Sequence, residues 1–149
     1  MVKGTVCYNR LKFYLMNTNV KGTLIETKFL SKITELGFSV SIPFGDKNRY
    51  DQIWDINGTL IKVQIKSCRW KDERHIGIIF NCYSVCNGKK HFYTKNDIDY
   101  FAISWNDKFY LIPVEECSSE KTLWFELSSK SNGKCSMATD YEIEKVLGI

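Results

Sequence analysis

Two features that would tie this protein to a membrane or to secretion are missing from its sequence. No apolar run is long enough to cross a bilayer. The apolar residues near the start are interrupted by Lys3, Arg10 and Lys12, so they do not form the continuous apolar core of a signal peptide. We therefore expect a cytoplasmic protein without membrane association.

The six cysteines of the sequence lack the spacing of a zinc site. Cys82, Cys86 and His91 come closest to such a spacing, but no second pair of ligands accompanies them. Because a cytoplasmic location keeps thiols reduced, we expect structural thiols and no disulfide framework.

A strong charge imbalance is also lacking. The net charge is +4, which permits a polyanionic partner without requiring one. The 149 residues, 44% hydrophobic and 26% charged, suit a single globular domain over residues 1–149. Residues 1–15 are basic and have no clear period, so they fit either a flexible arm or an N-terminal extension ahead of the core.

Apolar periodicity predicts a chain made mostly of strands, with a helix near each end. Residues 23–38 place their apolar side chains on one helical stripe and end at Gly37, which tolerates the positive φ of a helix C-terminus. Glu26 falls inside that stripe, so the sequence predicts a carboxylate that points where the helix packs. Residues 38–43 predict a short strand, and further strands with tight turns follow from residue 51 onward.

The strongest local signal is Asn57-Gly58, which is typical of a two-residue hairpin turn between two apolar strands. Counting outward from this turn pairs Asp51 with Gln64. Because side chains alternate between the two faces of a strand, this pair shares one face with Lys66, while the other face is almost wholly apolar. The sequence therefore predicts that these polar groups meet.

The polar groups on the helix and the hairpin have the chemistry of a metal site. Glu26, Asp51 and Gln64 supply hard oxygen donors, which suit Mg²⁺. Such an ion polarises a phosphoryl oxygen, and the nearby Lys66 can neutralise charge on the phosphorus, as phosphodiester hydrolysis requires. The alternative is a simple ion pair between Lys66 and a carboxylate, although buried ion pairs rarely improve stability over apolar residues.

A helix with an inward-facing Glu, followed by strands with the spacing Asp-(x)12-Gln-x-Lys, resembles the core of the PD-(D/E)XK nuclease superfamily. The resemblance covers roughly residues 17–115, and the segments YDQIWDINGTLIKVQIKS and DYFAISWNDKFYLIPVEE most resemble small homing endonucleases of cyanobacterial group I introns. It implies an α/β (α+β) fold with a restriction-endonuclease-like core. That core has a central mixed β-sheet, an N-terminal catalytic helix and added β-hairpins.

The resemblance also implies the residues of the site. The catalytic residues would be Glu26, Asp51, Gln64 and Lys66, and the cofactor Mg²⁺ or Mn²⁺ would be held by Glu26, Asp51, Gln64 and Ile65. Gln64 is a departure, because it stands at the second-acid position and brings no charge. A second departure is the lack of a clear helix between residues 68 and 98.

The resemblance implies double-stranded DNA as the partner. Seven basic residues are candidates to contact it: Lys47 and Arg49 before Asp51, Arg69, Lys71 and Arg74 after Lys66, and Lys89 and Lys90 at a tight turn. The alternative for each charge is an ordinary solvated side chain. One subunit of this size offers too little surface to read a long site alone, so we expect a homo-oligomer, either a dimer or a dimer of dimers.

The sequence thus predicts a metal-dependent, site-specific DNA endonuclease that makes double-strand breaks, as a homing enzyme does. Two alternatives stay open. A Holliday junction resolvase or a restriction endonuclease would share the same core. Gln64 would also fit an inactive DNA-binding module that kept the fold.

Overall fold

The computed structural model describes residues 17–127 and 135–149, so the extension predicted over residues 1–15 lies outside the described residues. The helices and strands in chain order are α1 (Thr18–Glu35), β1 (Ser39–Ser41), β2 (Gln52–Ile56), β3 (Thr59–Ile65), β4 (Arg69–Trp70), β5 (Gly77–Asn81), β6 (Tyr83–Cys86), β7 (Lys89–Phe92), β8 (Tyr100–Trp105), β9 (Lys108–Pro113), β10 (Glu120–Trp124) and α2 (Ile143–Leu147). Short 3-10 helices cover Val114–Glu116 and Ala138–Asp140.

Helix α1 begins five residues before the predicted position, at residue 18 instead of 23. The reason is a cap: the side-chain oxygen of Asn17 accepts a 3.0 Å hydrogen bond from the backbone N–H of Asn19. The helix ends at Glu35, close to the predicted end, and Gly37 has the positive φ of 88° that the sequence indicated.

A five-stranded sheet forms the centre of the molecule, in the order β1-β2-β3-β8-β9. Strands β3 and β8 run parallel, and the other neighbours run antiparallel. The predicted central mixed sheet is therefore present. Helix α1 covers one face of it, where the Phe29 and Trp54 rings stack with centroids 5.9 Å apart.

A three-stranded sheet in the order β10-β5-β4 contributes to a second cluster of core residues. Its strand β5 packs on the central strand β8, with the rings of Phe80 and Phe101 5.6 Å apart. The neighbouring residue Ala102 belongs to the cluster under α1. Because successive side chains of a strand point to opposite faces, the central sheet has a core layer on each face.

The hairpin of β2 and β3 has the predicted register. Ile56 pairs with Thr59 across the turn, and Gln52 pairs with Val63 at the far end. Asn57 and the following glycine take φ values of 52° and 88°, the left-handed conformation that a two-residue turn of this kind requires. Strand β3 ends at Ile65, whereas the sequence pattern predicts a strand that continues to Ser67.

Strands β6 and β7 form a separate two-stranded sheet. The predicted departure from the superfamily pattern is confirmed here: residues 68–98, all within the described part, form four strands and no helix. No helix of the described ranges is both long and apolar enough to span a membrane.

Candidate active site

Asp51 lies just before β2 and is held against the end of β3. Its backbone N–H donates to the carbonyl oxygen of Val63 at 2.9 Å. Its carboxylate oxygen Oδ2 accepts two hydrogen bonds of 2.7 Å, one from the Gln64 amide nitrogen and one from the backbone N–H of Ile65. The structure therefore brings Asp51 and Gln64 together as the hairpin count predicted.

The half-buried position of Asp51 controls its ionisation. Burial raises the pKa of its carboxyl above the ordinary value. The Ile65 hydrogen bond, the Lys66 charge and the Gln64 hydrogen bond all favour the ionised form, yet they do not outweigh burial. A cation placed against this carboxylate would favour the ionised form further.

Glu26 is exposed, and the prediction that it points inward is wrong. The buried stripe of α1 consists of Ile25, Phe29 and Ile33, which are four residues apart, so it is narrower than the sequence suggested. Glu26 is rotated by about 100° from Ile25 and lies at the edge of that stripe. Partial desolvation, and then the charge of Asp51, raise the pKa of the Glu26 carboxyl, so the two carboxylates influence each other.

Lys66 follows β3 and is partly buried. Its ammonium donates to the carbonyl oxygen of Tyr83 at 3.1 Å and lies 5.0 Å from the centroid of the Tyr93 ring. Burial lowers the pKa of Lys66, while the charges of Asp51 and Cys82 act in the opposite direction. Contacts with the β6–β7 region therefore hold the ammonium in a position where the charge of Asp51 acts on it.

Arg49 makes contacts that the sequence did not predict. Its guanidinium forms a 3.0 Å ion pair with Asp97 and donates to the carbonyl oxygens of His91 and Phe92 at 3.3 and 3.0 Å. It also lies 4.4 Å from the centroid of the Tyr93 ring. Arg49 thus ties β7 to the loop before β2, and its contact with a DNA phosphate stays a prediction.

The other predicted DNA contacts differ in how their charges are engaged. Arg69 pairs with Glu120 at 3.1 Å, and Arg74 pairs with Asp72 at 2.6 Å. Lys47, Lys71 and Lys89 are exposed and have no ion pair within 4.0 Å in the described ranges 17–127 and 135–149. The exposed Lys90 lies 4.3 Å from the centroid of the Tyr83 ring. The lysines are thus more available to an anion than the arginines.

Sequence reasoning missed two residues next to the site. Tyr93 has both Arg49 and Lys66 against its ring, and nothing in the local pattern pointed to it. Gln52 is only 2% exposed and is the one buried polar side chain among the described residues. The alternation that places Asp51 and Gln64 on one face of the hairpin places Gln52 on the apolar face. The burial of Gln52 could therefore have been predicted from the sequence.

The chemistry of the donors fits a hard divalent cation. The described residues hold no group of three or more His, Cys, Asp or Glu side chains in a metal-binding arrangement. The oxygen donors are instead mixed: two carboxylates, the Gln64 amide and the Ile65 carbonyl, to which the Gln64 nitrogen donates at 3.4 Å. A half-turn of that amide would exchange its nitrogen and oxygen, giving the oxygen set that Mg²⁺ prefers.

Comparisons with known proteins identify similar folds. Among solved structures, the fold is similar to the bacterial homing endonuclease I-Ssp6803I, with a TM-score of 0.69 and 22% identity over 85% of this chain and 89% of that chain. A weaker match is Hjc of Archaeoglobus fulgidus, a Holliday junction resolvase from an archaeal hyperthermophile, with a TM-score of 0.49 and 14% identity over 86% of this chain and 96% of that chain. No curated protein sequence matches the chain.

The model of the family described as PD-(D/E)XK endonuclease matches residues 16–144, which include α1, the β2–β3 hairpin and the sheet around them. The superfamily and the fold predicted from the sequence are thereby confirmed. The chain belongs to the PD-(D/E)XK endonuclease family.

Proposed function

We propose that this protein is a metal-dependent endonuclease that cuts both strands of DNA at a specific site, as a homing enzyme does. The observation that carries the proposal is the position of Asp51. Its carboxylate lies 2.7 Å from the Gln64 amide nitrogen and from the backbone nitrogen of Ile65, and Lys66 directly follows Ile65 in the chain. Membership of the family and the likeness to a homing endonuclease support the same reading.

The proposed cofactor is Mg²⁺ or Mn²⁺. The groups that would hold it are Glu26, Asp51, the Gln64 amide oxygen and the Ile65 carbonyl. When bound, the ion would polarise a phosphoryl oxygen of the substrate and stabilise the charge that develops there. Gln64 is uncharged, so this set of ligands has one negative charge fewer than it would have with an acid at position 64. Glu26 therefore contributes a larger share of the electrostatic attraction for the cation.

Lys66 supplies a positive charge next to the site. Its ammonium can donate a hydrogen bond to a phosphate oxygen or orient the attacking water. The contacts with the Tyr83 carbonyl and the Tyr93 ring hold it in place before the substrate arrives, so little reorganisation is needed during the reaction. Partial burial strengthens the interaction, because fewer waters screen the charge.

DNA would be held by exposed lysines and read by the β6–β7 hairpin. Lys47, Lys71, Lys89 and Lys90 are proposed as the first phosphate contacts, and Arg69 and Arg74 could join by exchanging their carboxylate partners for phosphates. All four residues of β7 are exposed, and a two-stranded ribbon fits the major groove. Arg49 would act indirectly by holding this hairpin in place.

A two-fold symmetric DNA site calls for a symmetric protein, so the working form is proposed to be a dimer or a dimer of dimers. Two of the subunits would then cut one strand each. A single copy that nicks only one strand under all conditions would argue against this assembly.

The test is cleavage of supercoiled plasmids that carry candidate intron-insertion sites, with Mg²⁺ and with EDTA, for wild type and Asp51→Ala. Discrete linear product that requires both the metal ion and Asp51 is the expected result. Faster cleavage of four-way junctions than of linear duplex would favour a junction resolvase instead. Retarded DNA without any cleavage would indicate a binding module, with Gln64 as the residue to explain.

A further inference from the structure

Gln52 is a buried amide that joins the sheet to the metal-site helix. Its amide nitrogen donates to the backbone carbonyl of Glu26 at 2.9 Å. Its amide oxygen accepts a 2.8 Å hydrogen bond from the indole N–H of Trp54. Each end of this side chain is therefore engaged by a different element, at a position that is only 2% exposed.

The Glu26 carbonyl does not need Gln52 for its own hydrogen bonding. It lies in the interior of α1, which runs from residue 18 to residue 35, so the helix itself supplies a donor four residues later. A carbonyl oxygen has two lone pairs, and Gln52 uses the second. The contact thus adds nothing that the helix requires, and its effect is to fix where this turn of α1 lies on the sheet.

Gln52 also follows Asp51 directly in the chain. Successive side chains of a strand point to opposite faces, so Asp51 faces Gln64 while Gln52 faces α1. The dipeptide Asp51-Gln52 therefore supplies one carboxylate of the site and also binds the backbone of Glu26, which bears the other carboxylate. One turn further along α1, Phe29 stacks on Trp54, which receives its orientation from Gln52.

We propose that Gln52 is a positioning residue that sets the separation between the Glu26 and Asp51 carboxylates and so determines how well the pair binds a divalent cation. This inference rests on the proposed function, because it assigns these carboxylates to a metal site. The charge on the two carboxylates makes their spacing matter: without a fixed helix, like charges favour separation. Loss of groups that orient metal ligands typically weakens metal binding by about 10–100-fold.

The experiment measures Mn²⁺ affinity by calorimetry on the full chain without DNA, together with the thermal unfolding midpoint. Gln52→Met keeps a similar volume and removes both hydrogen bonds. We expect it to bind Mn²⁺ about tenfold more weakly than wild type. The matched control is Ile33→Val, a core change on the same helix that lowers stability without touching the contact. It should lower the midpoint and leave Mn²⁺ affinity unchanged.

A double variant tests whether Gln52 acts through Glu26. In a Glu26→Gln background the site already lacks that carboxylate, so adding Gln52→Met should cause no further loss of affinity. A second full loss would overturn the inference. If Gln52→Met does not fold, Gln52→Asn serves instead, since it keeps an amide but shortens its reach by one methylene.

The outcomes separate this inference from the proposed function. If wild type binds Mn²⁺ and cleaves DNA, but Gln52→Met has wild-type affinity, the positioning role is wrong and the nuclease assignment stands. If wild type neither binds Mn²⁺ nor cleaves DNA, the proposed function fails and the positioning role fails with it. Equal weakening by Gln52→Met and Ile33→Val would reduce Gln52 to an ordinary core contact.

Discussion

The β2–β3 and β6–β7 hairpins turn through the same dipeptide, with φ of 52° and 88° at Asn57-Gly58 and 51° and 72° at Asn87-Gly88. Their surroundings are opposite. The first lies inside the five-stranded sheet and contributes buried side chains to the core under α1, while the second pairs only with itself and has every residue of β7 exposed.

The difference shows that turn chemistry determines local geometry and leaves the role of a hairpin to its flanking residues. Apolar alternation in β2 and β3 buries one face and positions Asp51 and Gln64 on the other. Lysines and a histidine in β7 keep the second hairpin in solvent. One hairpin therefore fits chemistry and the other fits recognition, and the exposed side chains of β7 can be replaced without touching Asp51 or Gln64.

The largest expected effect is on DNA cleavage, when Lys66 at the end of the β2–β3 hairpin is replaced. Lys66→Met removes the ammonium and keeps most of the side-chain volume, so cleavage should fall about 10²–10³-fold while DNA affinity stays close to that of wild type. Cleavage rates under saturating enzyme and gel retardation measure the two quantities. Lys62→Met is the matched control, because Lys62 lies on the same face of β3 and donates to the Asn96 carbonyl outside the site. Unchanged cleavage in Lys66→Met would remove this lysine from the mechanism.

Changes in the β6–β7 hairpin should affect DNA binding more than the chemical step. Lys89→Ala combined with Lys90→Ala should weaken DNA binding about tenfold and lower the slope of log affinity against log salt by about two, since two phosphate contacts are lost. Binding titrations at several salt concentrations measure this slope. Lys145→Ala, an exposed lysine on α2, should leave it unchanged. An unaltered slope in the double variant would mean that β7 does not contact the DNA backbone.

Substitutions at the two turn glycines allow the stability of the two hairpins to be compared directly. An alanine at Gly58 or Gly88 has open space around its Cβ, but each position has a positive φ that costs an L-residue about 1–2 kcal/mol. Gly58→Ala should lower the free energy of global unfolding by about that amount, as measured in urea. Gly88→Ala should leave global unfolding nearly unchanged, because its hairpin can open locally. Faster amide exchange confined to β6 and β7 would show this local opening.

The smallest effect concerns stability and pH. The raised pKa of Asp51 means that the folded protein binds its proton more tightly than the unfolded chain does. The stability gained from this is present below the ordinary carboxyl pKa and is lost as pH rises through the folded value. Asp51→Asn should therefore be more stable than wild type at pH 7 without metal, by about 1 kcal/mol, or about 2–4 °C in the unfolding midpoint. Scanning calorimetry at pH values from about 3 to about 8 should show the difference shrink at low pH.

Asp97 provides the opposite control. Burial disfavours its ionised form, but the hydrogen bonds from Thr94 and the charge of Arg49 outweigh burial and lower its pKa. Its contribution to stability is therefore present above the ordinary carboxyl pKa and is lost as pH falls through the folded value. Asp97→Asn should lower stability at pH 7, and the same sign for both variants would contradict these assignments.

The site was predictable where it depended on neighbours in sequence. Asn57-Gly58 fixed the register, and the register alone placed Asp51 against Gln64. The exposure of Glu26 was not predictable, because the width of the buried stripe of α1 depends on how the helix lies on the sheet. That placement is a tertiary contact, and Gln52 makes part of it.

The role of Arg49 was hidden for a similar reason. On sequence grounds, a basic residue two positions before an aspartate that is predicted to bind a metal ion is a reasonable phosphate contact. Its actual partners, Asp97 and the carbonyls of β7, are more than forty residues away along the chain. Turns and alternation describe contacts within a hairpin, and they carry no information on which hairpin a long side chain will reach.

The attachment of β7 has one more consequence. Arg49 and Lys66 both contact the base of the second hairpin, where they share the Tyr93 ring, so a shift of that base would also move Lys66. Strands β6 and β7 are four residues long. At about 3.3 Å per residue, the turn stands about 13 Å from this anchor, which is about four base-pair steps along DNA. In the proposed nuclease, the length of this hairpin would therefore set the distance along DNA between the base pairs that its tip contacts and the bond that is cut.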